Sequence, residues 1–342
     1  MSVTRGEDTS IFLLGPNHIL WFNGEHRMTS HAIVHGDDAD GLTCGAFLKR
    51  LTGCEVYLAN YDNLENALAK VQPPVTTLTI CDLNVRGALV GELIRIRGFA
   101  EITIFDHHQM DAHFMDQLCE MGVKVTLDTL DCAAVLVYEA YKEQLGRDAA
   151  RLAAYAAISD MFEDGPMASA ILARMDRKFA QHEAQILTHA LGKDQTLDFK
   201  RRVLEWLSRY SYPHRIPGAV DTAIRGLEDM AAIREAIPSA ATVRGRVAVM
   251  EAAGDHSTGA TANLLMDALG VDVGISYKVN GEYVNVSLRG MTGLREHLGD
   301  MAKALGNRLG GFGGGHQRAS GVKLPKDQLK AFIDEVVMQL SP

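Results

Sequence analysis

Nowhere does this sequence run apolar for the roughly 18 residues that a membrane span needs. Its opening, "MSVTRGEDTS", lacks the basic and apolar segments of a secretory leader. Both absences point to a cytoplasmic protein without membrane contact. There is no excess of positive charge either. The chain has 34 Lys and Arg against 43 Asp and Glu, a formal net charge of −9. Proteins that coat long nucleic acid through a broad basic face are usually positive, so a polyanionic substrate is expected to be small or gripped locally. Aromatic residues make up only 6%, which counts against the stacking platforms of a binder of long single strands. Cysteine is sparse. Cys44, Cys54, Cys81, Cys119 and Cys132 are odd in number and irregular in spacing, so they read as reduced core residues and not as a disulfide frame or a zinc site. Internal repeats and low-complexity tracts are absent.

What is present is a chain of 342 residues, 47% apolar, long enough for two globular domains. From residue 31 short β-rich runs alternate with helical patterns. "HAIV", "EVYLA", "TTLTIC", "EITIF" and "VKVTL" read as strands. "DGLTCGAFLKRL", "NLENALAKV", "RGALVGELIRIR" and "CAAVLVYEAYKEQL" read as helices. This alternation predicts an α/β domain with an open, mostly parallel sheet and helices on both faces. Residues 148–240 read as helical, with a break at "SYPHRIPG". A second, smaller α/β unit with a mixed sheet begins near residue 244. It contains the strand "RVAVMEA", the helix "TGATANLLMDALG", a hairpin about "NG", the helix "GLREHLGDMAKALGNRL", and a last strand and helix. The expected division is an N-terminal extension (1–30, with a hairpin in "IFLLGPNHILWF"), a catalytic domain (31–210), a connector with a hinge (211–243) and a substrate-binding domain (244–342).

The acidic residues are not scattered. Asp37, Asp38 and Asp40 follow the first strand, Asp82 ends the third, and Asp106, His107 and His108 follow the fourth. Ligands of open parallel sheets bind outside the carboxyl ends of the strands, so three strands deliver Asp and His to one edge. Asp160, after the apolar helix "RLAAYAAIS", is a fourth candidate for the same place. Crowded carboxylates are costly unless a cation balances them. The oxygen and imidazole set suits Mn²⁺ first, with Mg²⁺, Co²⁺, Zn²⁺ or Fe²⁺ as other options. The ligands suffice for two ions about 3.5–4 Å apart, an arrangement suited to phosphoryl displacement. Isolated histidines such as His182, His189 and His256 read as ordinary surface or core residues.

"VHGDDADGLTCGAF", "CDLN", "FDHHQ" and "AISD", in this order, resemble the four motifs of the DHH phosphoesterases. "VNVSLRG" followed by "GGFGGGHQRASGV" resembles the DHH-associated C-terminal domain. The resemblance covers roughly residues 31–342. It implies that His35, Asp38 and Asp82 hold a first metal, and that Asp40, Asp82, His107 and Asp160 hold a second, with Asp82 bridging. It further implies that Asp106 orients His107, that His108 faces the scissile phosphate as donor or general acid, and that Arg289 and His316 bind the substrate's phosphates. One departure stands out. The first ligand Asp lies three residues after His35 if it is Asp38, and two if it is Asp37. Asp38 keeps the Asp-x-Asp-Gly core, Asp38-Ala39-Asp40-Gly41.

The glycine run 310–315 invites close approach of something to the backbone. We read Gly313, Gly314 and Gly315 as a cradle whose N–H groups meet a phosphate or nucleotide. Together these features predict hydrolysis of short single-stranded oligonucleotides to 5′-mononucleotides by a hydroxide that two metals activate. A cyclic dinucleotide, an adenosine 3′,5′-bisphosphate and, more distantly, pyrophosphate or polyphosphate are alternative substrates. A non-catalytic nucleotide-binding module and a subunit of a nucleic-acid-processing assembly are the rivals from other classes. Oligomeric state is open, a homodimer included.

Overall fold

The computed structural model describes residues 29–254 and 256–341. The hairpin expected in residues 1–30 lies outside them, except that Thr29 and Ser30 open the first strand. The first half runs β1 (Thr29–His35), α1 (Ala39–Thr52), β2 (Glu55–Ala59), α2 (Leu64–Ala69), β3 (Val75–Cys81), α3 (Val90–Arg97), β4 (Glu101–Asp106), α4 (Ala112–Glu120), β5 (Lys124–Leu127) and α5 (Ala133–Leu145). The five strands pair in the order β2-β1-β3-β4-β5, all parallel. Successive side chains of a strand point to opposite faces, and β1 shows the result. Ala32 and Val34 enter a core with Phe47 of α1 and Val135 of α5, while Ile33 enters another with Leu68 of α2, Leu93 of α3 and Leu118 of α4. Both faces of the sheet are therefore covered, which is why its strands read as continuous apolar runs.

From β1 the chain steps to β2 on one side and then crosses back to β3 on the other. The connections leaving β1 and β3 diverge, and a crevice opens at their carboxyl ends. That is the edge to which the sequence assigns its Asp and His residues.

Helices α6 (Ala149–Ser159), α7 (Pro166–Leu172), α8 (Arg177–Lys193), α9 (Leu197–Ser208) and α10 (Ala219–Ala240) follow. Helix α10 links the two halves. Ala219 and Ala223 near its start lie in the core shared with β1, whereas Ile233 and Ile237 pack with Ala248, Met250 and Leu265 of the second half. That half comprises β6 (Thr242–Arg244), β7 (Val247–Glu251), α11 (Thr258–Leu269), β8 (Val273–Asn280), β9 (Tyr283–Gly290), α12 (Leu298–Arg308), β10 (Phe312–Gly315), β11 (Ala319–Pro325) and α13 (Leu329–Gln339). Its sheet, in the order β10-β11-β9-β8-β7-β6, is mixed: β7 and β8 are parallel and the other pairs antiparallel. Among the described residues no helix is long and apolar enough to cross a membrane.

Four local expectations need correction. The β8–β9 turn is Gly281-Glu282, one residue later than "NG", with Gly281 at φ 62°; glycine takes that left-handed conformation at no steric cost. Helix α12 starts at Leu298, not near 293. Its first N–H groups find acceptors far along the chain, Leu298 N on Gln317 O (2.9 Å) and Gly299 N on His316 O (3.0 Å), and the His297 ring caps Asp300 N. Cys119 is exposed, unlike the other four cysteines. From Phe312 to Gly315 the glycine run is a strand and not a free loop. Helix α12 lies so close on β10 that a Cβ on Gly299 would sit 2.2 Å from Gly315 O, and one on Gly313 2.5 Å from Ala302 O. Packing alone demands glycine at 313. At Gly315 φ is 137° and a Cβ would meet Ala319 O at 2.5 Å. Gly314 differs, since nothing lies within 4 Å of a Cβ there.

Candidate active site

Each residue expected at the sheet edge is brought there by a local device. His35 ends β1. Asp38 caps α1, accepting from Gly41 N at 3.1 Å through one carboxylate oxygen, and turns the other to His35 Nδ1 at 2.8 Å. Gly41 is compelled, because a Cβ there would lie 2.1 Å from His35 O; the first turn of α1 rests on the end of β1. Asp37 turns one oxygen onto the buried Lys200 of α9 at 2.6 Å and leaves the other 3.9 Å from His35 Nε2. The geometry thus brings Asp38, and not Asp37, into close contact with His35.

Asp82 follows β3 with φ 59°, a conformation uncommon for any residue but glycine and one that often marks a functional position. The turn aims its carboxylate between two histidines. Oδ1 is 3.1 Å from His107 Nε2 and Oδ2 is 3.4 Å from His35 Nδ1. Asp40, wholly buried, accepts the N–H groups of Ala133 (2.9 Å) and Ala134 (2.8 Å) at the start of α5, and Asp160 ends α6 with Oδ2 3.6 Å from His107 Nε2. Three overlapping groups result: His35, Asp38 and Asp82; Asp40, His107 and Asp160; and Asp82, His107 and His108. Within each, one donor atom per residue lies within 4.8 Å of the others.

The Asp106 expectation changes. Its Oδ1 accepts from the backbone N–H groups of His107 (2.8 Å) and His108 (3.1 Å), and the ring it holds is that of His108, with Nδ1 at 2.7 Å. His107 Nδ1 has no hydrogen-bond partner among the described residues. The turn after β4 folds the second histidine, not the first, back onto the carboxylate. His108 Nε2 then meets the hydroxyl of Tyr61 at 3.1 Å, and the Tyr61 ring lies 5.1 Å from that of His35. Tyr61 was not singled out from the sequence; its only signal is its place just after β2, at the same sheet edge.

Electrostatics follow from crowding. Burial and the charge of Asp82 push Asp40 up to about 7. Burial does the same to Asp160, which Asp40 reinforces and His107 only partly offsets, so its carboxyl stands well above the usual range. Burial opposes a charged His107, yet the hydrogen bond and charge of Asp82 together with Asp160 raise it to about 10. Burial is likewise outweighed at Asp38, which His35 holds down to about 2. In this state protons balance the carboxylates. Asp82 Oδ2 and Asp160 Oδ2 are buried without hydrogen-bond partners, at a cost that a bound cation would remove. The oxygen and imidazole donors and their mutual distances fit divalent cations.

The second half supplies the opposite wall. His316, just beyond β10, stacks on His107 with ring centroids 5.7 Å apart and lies 5.9 Å from His108. Burial and the nearby His107 and His108 depress it to about 4. Arg289 of β9 is half-buried, with no carboxylate partner among the described residues. Its Nη1 reaches Leu288 O at 2.9 Å, while Nε bonds nothing and burial lowers its pKa. Of the expected cradle only Gly314 leaves room for a ligand. Gly313 and Gly315 serve the packing.

Residues 245–341 match the DHHA1 domain family. No curated protein sequence matches the chain. Among solved structures, it is similar to a DHH-domain protein described as a member of a family of ribosomal proteins, with TM-score 0.69 and 16% identity over 91% of this chain and 87% of that one. RecJ of Thermus thermophilus, in complex with Mn²⁺, gives 0.64 and 19% over 91% of this chain and 52% of RecJ, so the present chain spans about half of that protein. PggH of Vibrio cholerae, a pGpG-specific phosphodiesterase, gives 0.53 and 13% over 91% and 98%. The chain therefore has a fold similar to that of DHH-domain proteins, and its residues 245–341 match the DHHA1 domain family.

Proposed function

We propose that this protein is a divalent-metal-dependent phosphoesterase that hydrolyses phosphodiester bonds of short single-stranded oligonucleotides to 5′-mononucleotides. The observation that carries this reading is the set of three Asp/His groups, sharing Asp82 and His107, against which His316 of the second half stacks, with the half-buried Arg289 near His316 and free of any carboxylate partner among the described residues. His35, Asp38 and Asp82 would hold one cation, and Asp40, Asp82, His107 and Asp160 a second, Mn²⁺ being the first choice. When bound, the pair would polarise the phosphoryl group and ease deprotonation of the attacking water.

The chain's own residues do the rest. Arg289 binds the non-bridging phosphate oxygens, where a fixed guanidinium fork suits them. His316, neutral at pH 7, adds a ring N–H without adding charge. Asp106 holds the His108 ring through Nδ1, which leaves Nε2 to hand a proton to the leaving oxygen. Residues 31–210 and 244–342 would act as two walls closing about the 211–243 connector. The acidic net charge and the scarcity of aromatics favour a short substrate over a long strand.

The test is product analysis with added Mn²⁺ on four substrates: a 5′-phosphorylated dinucleotide, a longer single strand, a cyclic dinucleotide and adenosine 3′,5′-bisphosphate. Release of 5′-mononucleotide from the short linear substrate is expected. Cleavage confined to the cyclic compound or the bisphosphate would replace the substrate assignment, and silence on all four would refute the reading. A second expectation concerns Gly314→Val. The open space at that position should leave the melting temperature unchanged while KM rises several-fold; an unchanged KM would remove β10 from the substrate's path.

A further inference from the structure

One residue of the glycine run serves neither the packing on α12 nor the phosphate. Phe312 sits on β10, which among the described residues is an edge strand paired only to β11. Side chains alternate along a strand, so Phe312 shares the open face with Gly314, opposite the glycines that pack on α12. It is 49% exposed, a large ring that no core uses. The guanidinium of Arg86, from the loop after β3, lies 5.9 Å from the ring centroid. Arg86 is itself exposed, and among the described residues no carboxylate is within salt-bridge distance of it. The contact therefore spans the cleft, one member from each wall. Nearby Lys323 of β11, the register partner of Phe312, reaches Asp62 across the same gap at 4.0 Å. Phe312 lies three residues, about 10 Å, along the strand from Gly315. A ring there would meet a base displaced along the chain from the phosphate at His316, and not the phosphate itself.

We propose that Phe312 and Arg86 form a base-stacking subsite for the nucleotide next to the phosphate being cut, an assignment that rests on the oligonucleotide reading above. An exposed aromatic ring beside an uncommitted guanidinium is the pairing on which unpaired bases stack, largely regardless of sequence. It makes the dinucleotide the smallest substrate able to use the whole cleft. A single such platform also suits a short substrate better than a long one.

The test compares the Mn²⁺-equilibrated wild-type protein with Phe312→Ala and Phe312→Trp. The ligands are a 5′-phosphorylated dinucleotide and the same molecule abasic at its second position. KM is measured on both, and Kd on their phosphorothioate-linked forms. Phe312→Ala is expected to weaken the dinucleotide about 5- to 150-fold, the range that base–aromatic stacking is worth. The loss should shrink to less than about twofold on the abasic ligand, and Phe312→Trp should restore binding. Equal loss on both ligands would make the pair a latch between the walls and overturn the subsite, as would no loss on either. Base-dependent binding without cleavage would uphold the subsite while refuting the phosphoesterase reading. A wild-type protein that neither binds nor cuts the dinucleotide would refute both.

Discussion

Asp82→Ala is expected to cut phosphodiester hydrolysis by about 10³-fold or more while the protein still folds. The size follows from position. Asp82 points one oxygen at His107 (3.1 Å) and the other at His35 (3.4 Å), so its loss strips a ligand from two of the three groups at once. Several kcal/mol of transition-state stabilisation is at stake in such a centre, and each 1.36 kcal/mol is tenfold in rate. Asp37→Ala is the informative contrast. Asp37 also follows β1, but it pairs with Lys200, so its removal should cost less than about tenfold in kcat. Steady-state kinetics of the two variants, with circular dichroism to confirm folding, checks both. Equal effects would undo the assignment of Asp38 over Asp37, and near wild-type activity of Asp82→Ala would undo the metal centre.

Metal loading should change the sign of the protein's response to pH. In the metal-free protein Asp40 is raised to about 7, chiefly by burial and Asp82, and His107 to about 10 by its carboxylate neighbours against the opposing effect of burial. Both pKa values lie above their unfolded values, so the folded state binds more protons and stability falls as pH rises. For Asp40 the loss runs from about pH 4 through 7, and for His107 from about 6.5 through 10. Asp38, held at about 2, works in the opposite sense but only in acid. The chelated protein should therefore melt at progressively lower temperature between pH 5 and 9. A divalent cation displaces those protons, so its stabilisation should grow over the same range, approaching roughly 2.7 kcal/mol at a hundred times its Kd. Melting temperatures with EDTA and with Mn²⁺ at pH 5.5 and 8.5 provide the measurement. A Mn²⁺-induced rise that is larger at pH 5.5 would contradict the cluster as described.

The sequence by itself determined the order of strands and helices along the chain and the residues at the active edge. Apolar runs of β length and helical periodicity are local properties, and β1 to β5, α1 to α3, α5 and α6 fall within a few residues of their expected limits, whereas α4 (Ala112–Glu120) was not expected from the sequence. Asp and His directly after β1, β3 and β4 must emerge at one edge once those strands are parallel, so the candidates His35, Asp40, Asp82 and His107, and one of the pair Asp37 and Asp38, were legible before any distance was known, with Asp160 after α6 added by the motif resemblance.

Tertiary structure decided the rest, wherever the partner lies far away in sequence or differs from its neighbour only by a turn. Glycine carries no signal for a strand, and β10 exists because β11 pairs with it and α12 presses on it. The start of α12 is set by carbonyls at 316 and 317. Asp106 is adjacent to both histidines, and only the conformation of the turn gives its oxygen to His108. Asp37 and Asp38 are chemically alike, and Lys200, more than 160 residues away, draws off the first. Tyr61 and Arg86 belong to no ligand motif, and Phe312, though inside the glycine run, had no role assigned from the sequence. They acquire meaning only when two walls face each other, because a cleft is a relation between distant segments and is encoded in the packing that brings them together.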